Sequence, residues 1–298
     1  MRRYAFTMLE LVFVIVVMGI LSKFGAEFLA QAYNGFIFSK INNELQVKSE
    51  SAVEQIAARL QFRIKASVAA RNPNDNNPAT NFKSPIDINS ADRDKYSILE
   101  WVGLANDSFR GTTTPLWSGI VDINPSLALG NTTLISPQTN TTAVDSMIQS
   151  LSSSGTTIND AAIYFVGSLS NVKNGFGWSG TAHEAMHPIK ANSSHPNWLV
   201  ADNNFSGVDV YEYYQLSWSA YAVGMNDWNA TGNNTGTLRL WYDYRPWDGD
   251  IYSDGNSSVI AENVSTFQYN EVGSILKIQV CTKSDIGGYS LCKEKTVY

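Results

Sequence analysis

Three histidines occur in the chain, and all fall within 13 positions, in "HEAMHPIKANSSH" (His183–His195). His183-Glu184-x-x-His187 has the spacing of a zinc metallopeptidase, in which two histidines one helical turn apart hold the metal and the glutamate activates water. The flanks work against that helix, because Gly180 precedes the motif and Pro188 follows it at once. Thr181 and Glu184 also have capping-box spacing, which gives the glutamate a purely structural task. A structural loop is therefore expected, with His183, His187 and His195 as weak metal candidates and no catalytic residue. "WDGDIYSDG" brings together Asp248, Asp250 and Asp254, oxygen ligands of the kind a calcium ion takes. Their spacing is not that of an EF-hand, and Asp-Gly turns explain them equally well. They form a second weak candidate set, so no cofactor is expected.

A different kind of chemistry opens the chain. "MRRYAFTMLELVFVIVVMGILSKFG" places one carboxylate, Glu10, at the head of the apolar run Leu11–Leu21. A charge in a lipid-facing helix costs roughly 2.5–3.5 kcal/mol on insertion scales. A cleaved signal peptide would show a small-x-small site after the run, and "GILSKFGAEFLAQAY" offers no convincing one. Residues 6–26 would rise about 30 Å as a helix, enough to cross the hydrocarbon core. Arg2 and Arg3 mark its cytoplasmic side. A plain signal anchor gives no reason for Glu10.

A short basic leader, a small residue, then Phe-Thr-x-x-Glu opening an apolar helix resembles the N-terminus of type IV pilins and of type II secretion pseudopilins. Here the pattern reads "MRRYA" then "FTMLE", with "MGIL" (Met18–Leu21) further on. The resemblance implies that prepilin peptidase cuts between Ala5 and Phe6 and methylates the new amine of Phe6. Ala5 stands where the family usually has Gly, and alanine is small enough for processing to be expected. It implies too that Glu10 meets the terminal amine of a neighbouring subunit inside a bundle of stems, setting the axial register. The implied partners are prepilin peptidase, other pilin or pseudopilin subunits and an inner-membrane assembly platform. The implied course is a single-pass inner-membrane protein with its head outside the cytoplasm, then a fibre.

The elements that must position these groups follow from the patterning. No proline occurs before Pro73. Ile41, Leu45, Val53, Ile56, Leu60 and Ile64 recur at mostly helical steps, with Lys40, Glu44, Lys48, Glu50, Glu54 and Arg59 between them. One long helix from Phe6 to about Ala70 is predicted, ended by "RNPNDNNP". Beyond it, "YYQLSWSAYAV" (213–223), "TLRLWYDY", "SILKIQVC" and "AIYFVGS" alternate like strands without intervening helical patterns. Residues 106–160 read as a Ser/Thr/Asn-rich insertion of loops and short strands. The expected organisation is a leader (1–5), a membrane half of the stem (6–27), an amphipathic half (28–70) and a β-rich head (71–298). The fold class is α+β and pilin-like, a long N-terminal helix packed on an antiparallel β-sheet head.

Composition agrees with export. Charged residues are 16% and aromatics 12% of 298 residues, and the net charge is −6, so no nucleic acid partner is predicted. The two cysteines, Cys281 and Cys292, most simply form one disulfide in an exported domain. Closing that loop is worth roughly 3 kcal/mol by chain-entropy reasoning. Pilins often carry such a C-terminal loop. Three Asn-x-Ser/Thr sites, at Asn204, Asn229 and Asn256, also have Asp two residues earlier, the extended acceptor pattern of bacterial oligosaccharyltransferases, though an Asn-rich chain produces it easily. The expected function is a non-enzymatic minor subunit of a type IV pilus or type II secretion pseudopilus, at or near the tip because a head above 200 residues would crowd a repeating fibre. A membrane-anchored adhesin or glycan-binding exported protein is the alternative, and a zinc peptidase a more distant one.

Overall fold

The structure, a computed structural model, describes residues 7–298 other than 112, 169, 170 and 181. The chain divides into two compact units, Met1–Val47 and Lys48–Tyr298. Helix α1 (Met8–Leu60) runs through the first and into the second. Shorter helices follow: α2 (Asn106–Arg110), α3 (Ile123–Ala128), α4 (Thr141–Leu151) and α5 (Val172–Gly175). Strands β1 (Ala69–Arg71), β2 (Phe82–Lys83), β3 (Ile98–Val102), β4 (Thr133–Ile135), β5 (Ala162–Phe165), β6 (Met186–Ala191) and β7 (Trp198–Ala201) come first. They are followed by β8 (Tyr214–Ser217), β9 (Ala220–Asn229), β10 (Thr235–Tyr244), β11 (Asn256–Val272), β12 (Ile275–Lys283) and β13 (Ser290–Val297).

Over its described residues the first unit is helix and little else. Met8, Leu9, Phe13, Ile15, Met18 and Leu21 are all exposed, and the most apolar stretch of α1 has no protein cover. It is long and apolar enough to cross a membrane.

The second unit is layered. Its eight-stranded sheet has the order β13-β12-β11-β10-β9-β3-β1-β2, and its five-stranded sheet the order β4-β7-β6-β5-β8. Every pairing is antiparallel. Val53, Ile56 and Leu60 of α1 pack on one face of the larger sheet, against Leu99, Trp101, Val223, Leu240 and Ile278. Its other face, with Ile98, Val102, Ala222 and Tyr244, packs on Ala162, Tyr164 and Met186 of the smaller sheet. Beyond that, Ile163, Phe165 and Leu216 meet Val144 and Ile148 of α4. The period-two alternation along β3 assigns its side chains to these two cores. Gly273, at φ 63°, takes the first place of the two-residue turn joining β11 to β12, where an L side chain is disfavoured.

Three expectations are corrected. The helix ends at Leu60, not near Ala70. The Arg63 guanidinium donates to the Leu60 carbonyl at 2.7 Å, and the Ile64 N–H donates to the Val102 carbonyl at 2.9 Å. Sheet pairing takes over the backbone before any proline does, and Ile64 leaves the stem stripe for the core between the sheets. Next, residues 213–223 are not one strand. The chain passes from β8 in one sheet to β9 in the other through Trp218 and Ser219. Finally, the 106–160 insertion is more than loops. It holds α4, whose Asn140 cap accepts the Ala143 N–H at 3.1 Å, and its Trp117, Val144 and Ile148 share a core with the smaller sheet.

Candidate functional site

Glu10 lies in the first turn of α1. The Thr7 N–H and hydroxyl donate to its carboxylate at 3.0 and 2.9 Å, and its own N–H donates to the Thr7 hydroxyl at 3.3 Å. This is a reciprocal capping box, which satisfies two N–H groups that a helix start leaves orphaned. The negative charge also complements the positive end of the helix dipole. The Thr-x-x-Glu signal is legible in "FTMLE", but sequence reasoning spent it on Thr181 and Glu184 instead. Thr181 lies outside the described residues, as do the processing positions Ala5 and Phe6. Glu10 therefore serves its own helix in the single chain, and the exposed apolar side chains around it leave its carboxylate accessible to another molecule.

The histidine motif does not build a zinc helix. Residues His183–Met186 form a turn, with the Met186 N–H donating to the His183 carbonyl at 3.0 Å, and His187 already lies in β6. Imidazole Nδ1 of His183 sits 2.9 Å from the Met186 carbonyl oxygen. His187 packs between Phe165 and Phe205, at ring distances of 5.4 and 6.1 Å. That burial, with His183 nearby, lowers its pKa from 6.5 to about 4. His195 stacks on Trp198 at 3.8 Å. The aspartates are likewise committed. Arg245 reaches Asp248 at 3.4 Å and Asp250 at 3.2 Å, while Asp254 accepts the Ile251 N–H at 2.9 Å. Burial raises the Asp248 pKa, against the pull of Arg245. Among the described residues, no group of three His, Cys, Asp or Glu converges as a metal set.

Cys281 and Cys292 are disulfide-bonded and stand directly opposite in the β12–β13 ladder. The bond ties the edge strand to its neighbour, and Lys293 and Lys295 on that strand pair with Glu50 and Glu54 of α1, the latter at 2.6 Å.

Two buried ionic centres were missed in the sequence. The Glu100 carboxylate, fully buried between the sheets, accepts from Arg71 and from the Tyr244 hydroxyl at 3.3 Å. Asp243 is a bulge residue of β10 in left-handed conformation, φ 64°. It accepts the Ser152 and Thr156 hydroxyls, both at 2.8 Å, and the N–H groups of Ser153 and Ser154 at 3.0 and 3.1 Å. Burial raises its pKa, and these donors outweigh it to leave the value lowered. Partners some 90 residues apart leave no local spacing to read. The Glu100 centre ties β1, β3 and β10 of the larger sheet to one another, and the Asp243 centre ties the segment after α4 to β10. For the alternative glycan-binding reading, a cleft of about 560 Å³ lies beside Tyr96, Trp228, Phe267 and Tyr269.

Comparison with family models, curated proteins and solved structures finds no match to this chain.

Proposed function

We propose that this chain is a minor pilin or pseudopilin, an assembly subunit held in the inner membrane by the first part of α1 until it enters a fibre. One observation carries the reading: a lone carboxylate opens a helix whose first, most apolar stretch is left uncovered among the described residues. Lipid can cover that surface before assembly, and the stems of other subunits after it. In either setting Glu10 is expensive unless a cation meets it, and the freed amine of a processed neighbour supplies one. A charge pair inside an apolar bundle is also directional, so it fixes how far one stem slides along the next. The Thr7–Glu10 box adds a waiting state, in which the carboxylate is held by its own helix until the amine arrives. The large head favours a place at or near the fibre tip, with Glu10 retained because a further subunit sits above it.

The test is the N-terminus of the chain taken from its own membranes. Mass spectrometry is expected to find Phe6 as the first residue, carrying one methyl group. A chain that keeps Met1 in cells with an active prepilin peptidase overturns the reading.

A further inference from the structure

We propose that Asn204 and Asn229 are acceptor sites for N-linked glycan, and that Asn256, which carries the same sequence pattern, is not. The chain has nine Asn-x-Ser/Thr sites, and three of them have Asp at the second position before the asparagine: Asp202, Asp227 and Asp254. With 27 acidic residues in 298, fewer than one such coincidence is expected. The folded structure then separates the three.

Asn204 is exposed, in the loop between β7 and β8, and its Oδ1 accepts the Ser206 N–H at 2.8 Å. Asn229 is exposed at the end of β9, where its Oδ1 accepts the Gly232 N–H at 2.9 Å and the Thr231 hydroxyl at 3.3 Å. The hydroxyl residue of each site is thus already folded back toward its asparagine. Among the described residues, neither Nδ2 donates a hydrogen bond, so the nucleophilic atom is free. The upstream acids are exposed as well. Asp202 pairs with Lys190, and Asp227 with Arg239 at 3.6 Å. Such surface pairs exchange readily for another cation, which leaves the acids available to a transfer enzyme.

Asn256 differs at the asparagine itself. It is half-buried, and its Nδ2 donates to the Ser153 hydroxyl at 2.9 Å and to the Asp243 carboxylate at 3.4 Å. Its upstream acid is held by the Ile251 N–H. A sugar there would have to open the Asp243 centre. Asn192 is a useful internal contrast, since its Oδ1 accepts the Ser194 N–H at 2.9 Å in the same kind of turn but its upstream residue is Lys190.

The donor class is a sugar carried on a lipid pyrophosphate. Nδ2 attacks the anomeric carbon, a C–N bond forms, and the bond from that carbon to the pyrophosphate oxygen breaks. The amide proton passes to an enzyme base, and the lipid pyrophosphate leaves.

The inference rests on the head being exported, and the experiment keeps the two readings apart. The full chain is purified from its own cells, digested, and its peptides and N-terminus are analysed together by mass spectrometry. Glycan mass is expected on the Asn204 and Asn229 peptides and on neither the Asn192 nor the Asn256 peptide. Asn204→Gln and Asn229→Gln should each remove one glycan, and Asp227→Ala should empty Asn229 while Asn204 stays occupied. Unmodified Asn204 and Asn229 overturn the inference whatever the N-terminus shows. Occupancy of Asn256 equal to theirs overturns the structural discrimination. Glycans on a chain that begins at Met1 uphold this inference and overturn the pilin reading instead.

Discussion

Helix α1 lives in two environments. Over Met8–Leu21, Glu10 is its only charged residue and its large apolar side chains stand exposed, Phe13 at 69% and Ile15 at 63%. Over Lys48–Leu60 it carries Lys48, Glu50, Glu54 and Arg59, yet Ile56 and Leu60 are fully buried. The polar segment packs on a sheet of its own unit, and the side chains of the apolar one stand uncovered among the described residues. Intrinsic propensity favours the second, Ala- and Glu-rich segment over the first with its six β-branched residues, and the two differ further in what solvates their side chains. The first segment opens a helix long and apolar enough to cross a membrane. The second is a component of the head.

Truncation separates the two most sharply. Leu60→Ala is expected to cost the head about 2–5 kcal/mol, the range for a buried leucine, whereas Ile15→Ala should leave head unfolding in detergent unchanged. Urea titration of the full chain, followed by tryptophan fluorescence, reads both. Comparable losses at the two positions would erase the distinction.

A pH effect follows from the head's interior alone. His187 has a folded pKa of about 4, below its ordinary 6.5. The unfolded chain therefore binds the extra proton between these values. The neutral ring's contribution is fully present above about pH 6.5 and is lost as pH falls toward 4. The change amounts to at most about 3 kcal/mol. His187→Gln should flatten that part of the stability–pH curve without touching the first segment. An unaltered slope would place the titrating group elsewhere.

The smallest effect is at the surface. Glu54→Ala removes the pair with Lys295, both partners being largely exposed, and is expected to cost below about 1 kcal/mol in the same titration. A loss as large as that of Leu60→Ala would mean that charge rather than apolar burial holds the helix to its sheet.

What could be read in advance followed the range of the signals. The stem helix, the apolar run, the cysteine pair and three of the four strand segments are encoded in neighbouring residues, and the structure has each of them. The end of α1 was misplaced because it is set by Val102, far along the chain, and not by the Pro and Asn cluster after Arg71. The second sheet was hidden because its strands are short and one, β8, continues into β9 with unbroken alternation. The Glu100 and Asp243 centres depend on contacts across 29 to 144 residues and have no local pattern. At the candidate site, the Glu10 anomaly was visible at once, while its capping bond with Thr7 was overlooked although its spacing lay in plain view.

That capping bond makes the decisive measurement available. Glutamine can replace glutamate in a capping box, so Glu10→Gln keeps the helix start and removes only the charge. Thr7→Ala does the reverse, at about 1 kcal/mol of capping. Fibre incorporation of the two variants, scored against normal membrane levels, should be lost for Glu10→Gln and retained for Thr7→Ala. Incorporation of Glu10→Gln at the unmutated level would show that the carboxylate's charge is not what joins one subunit to the next.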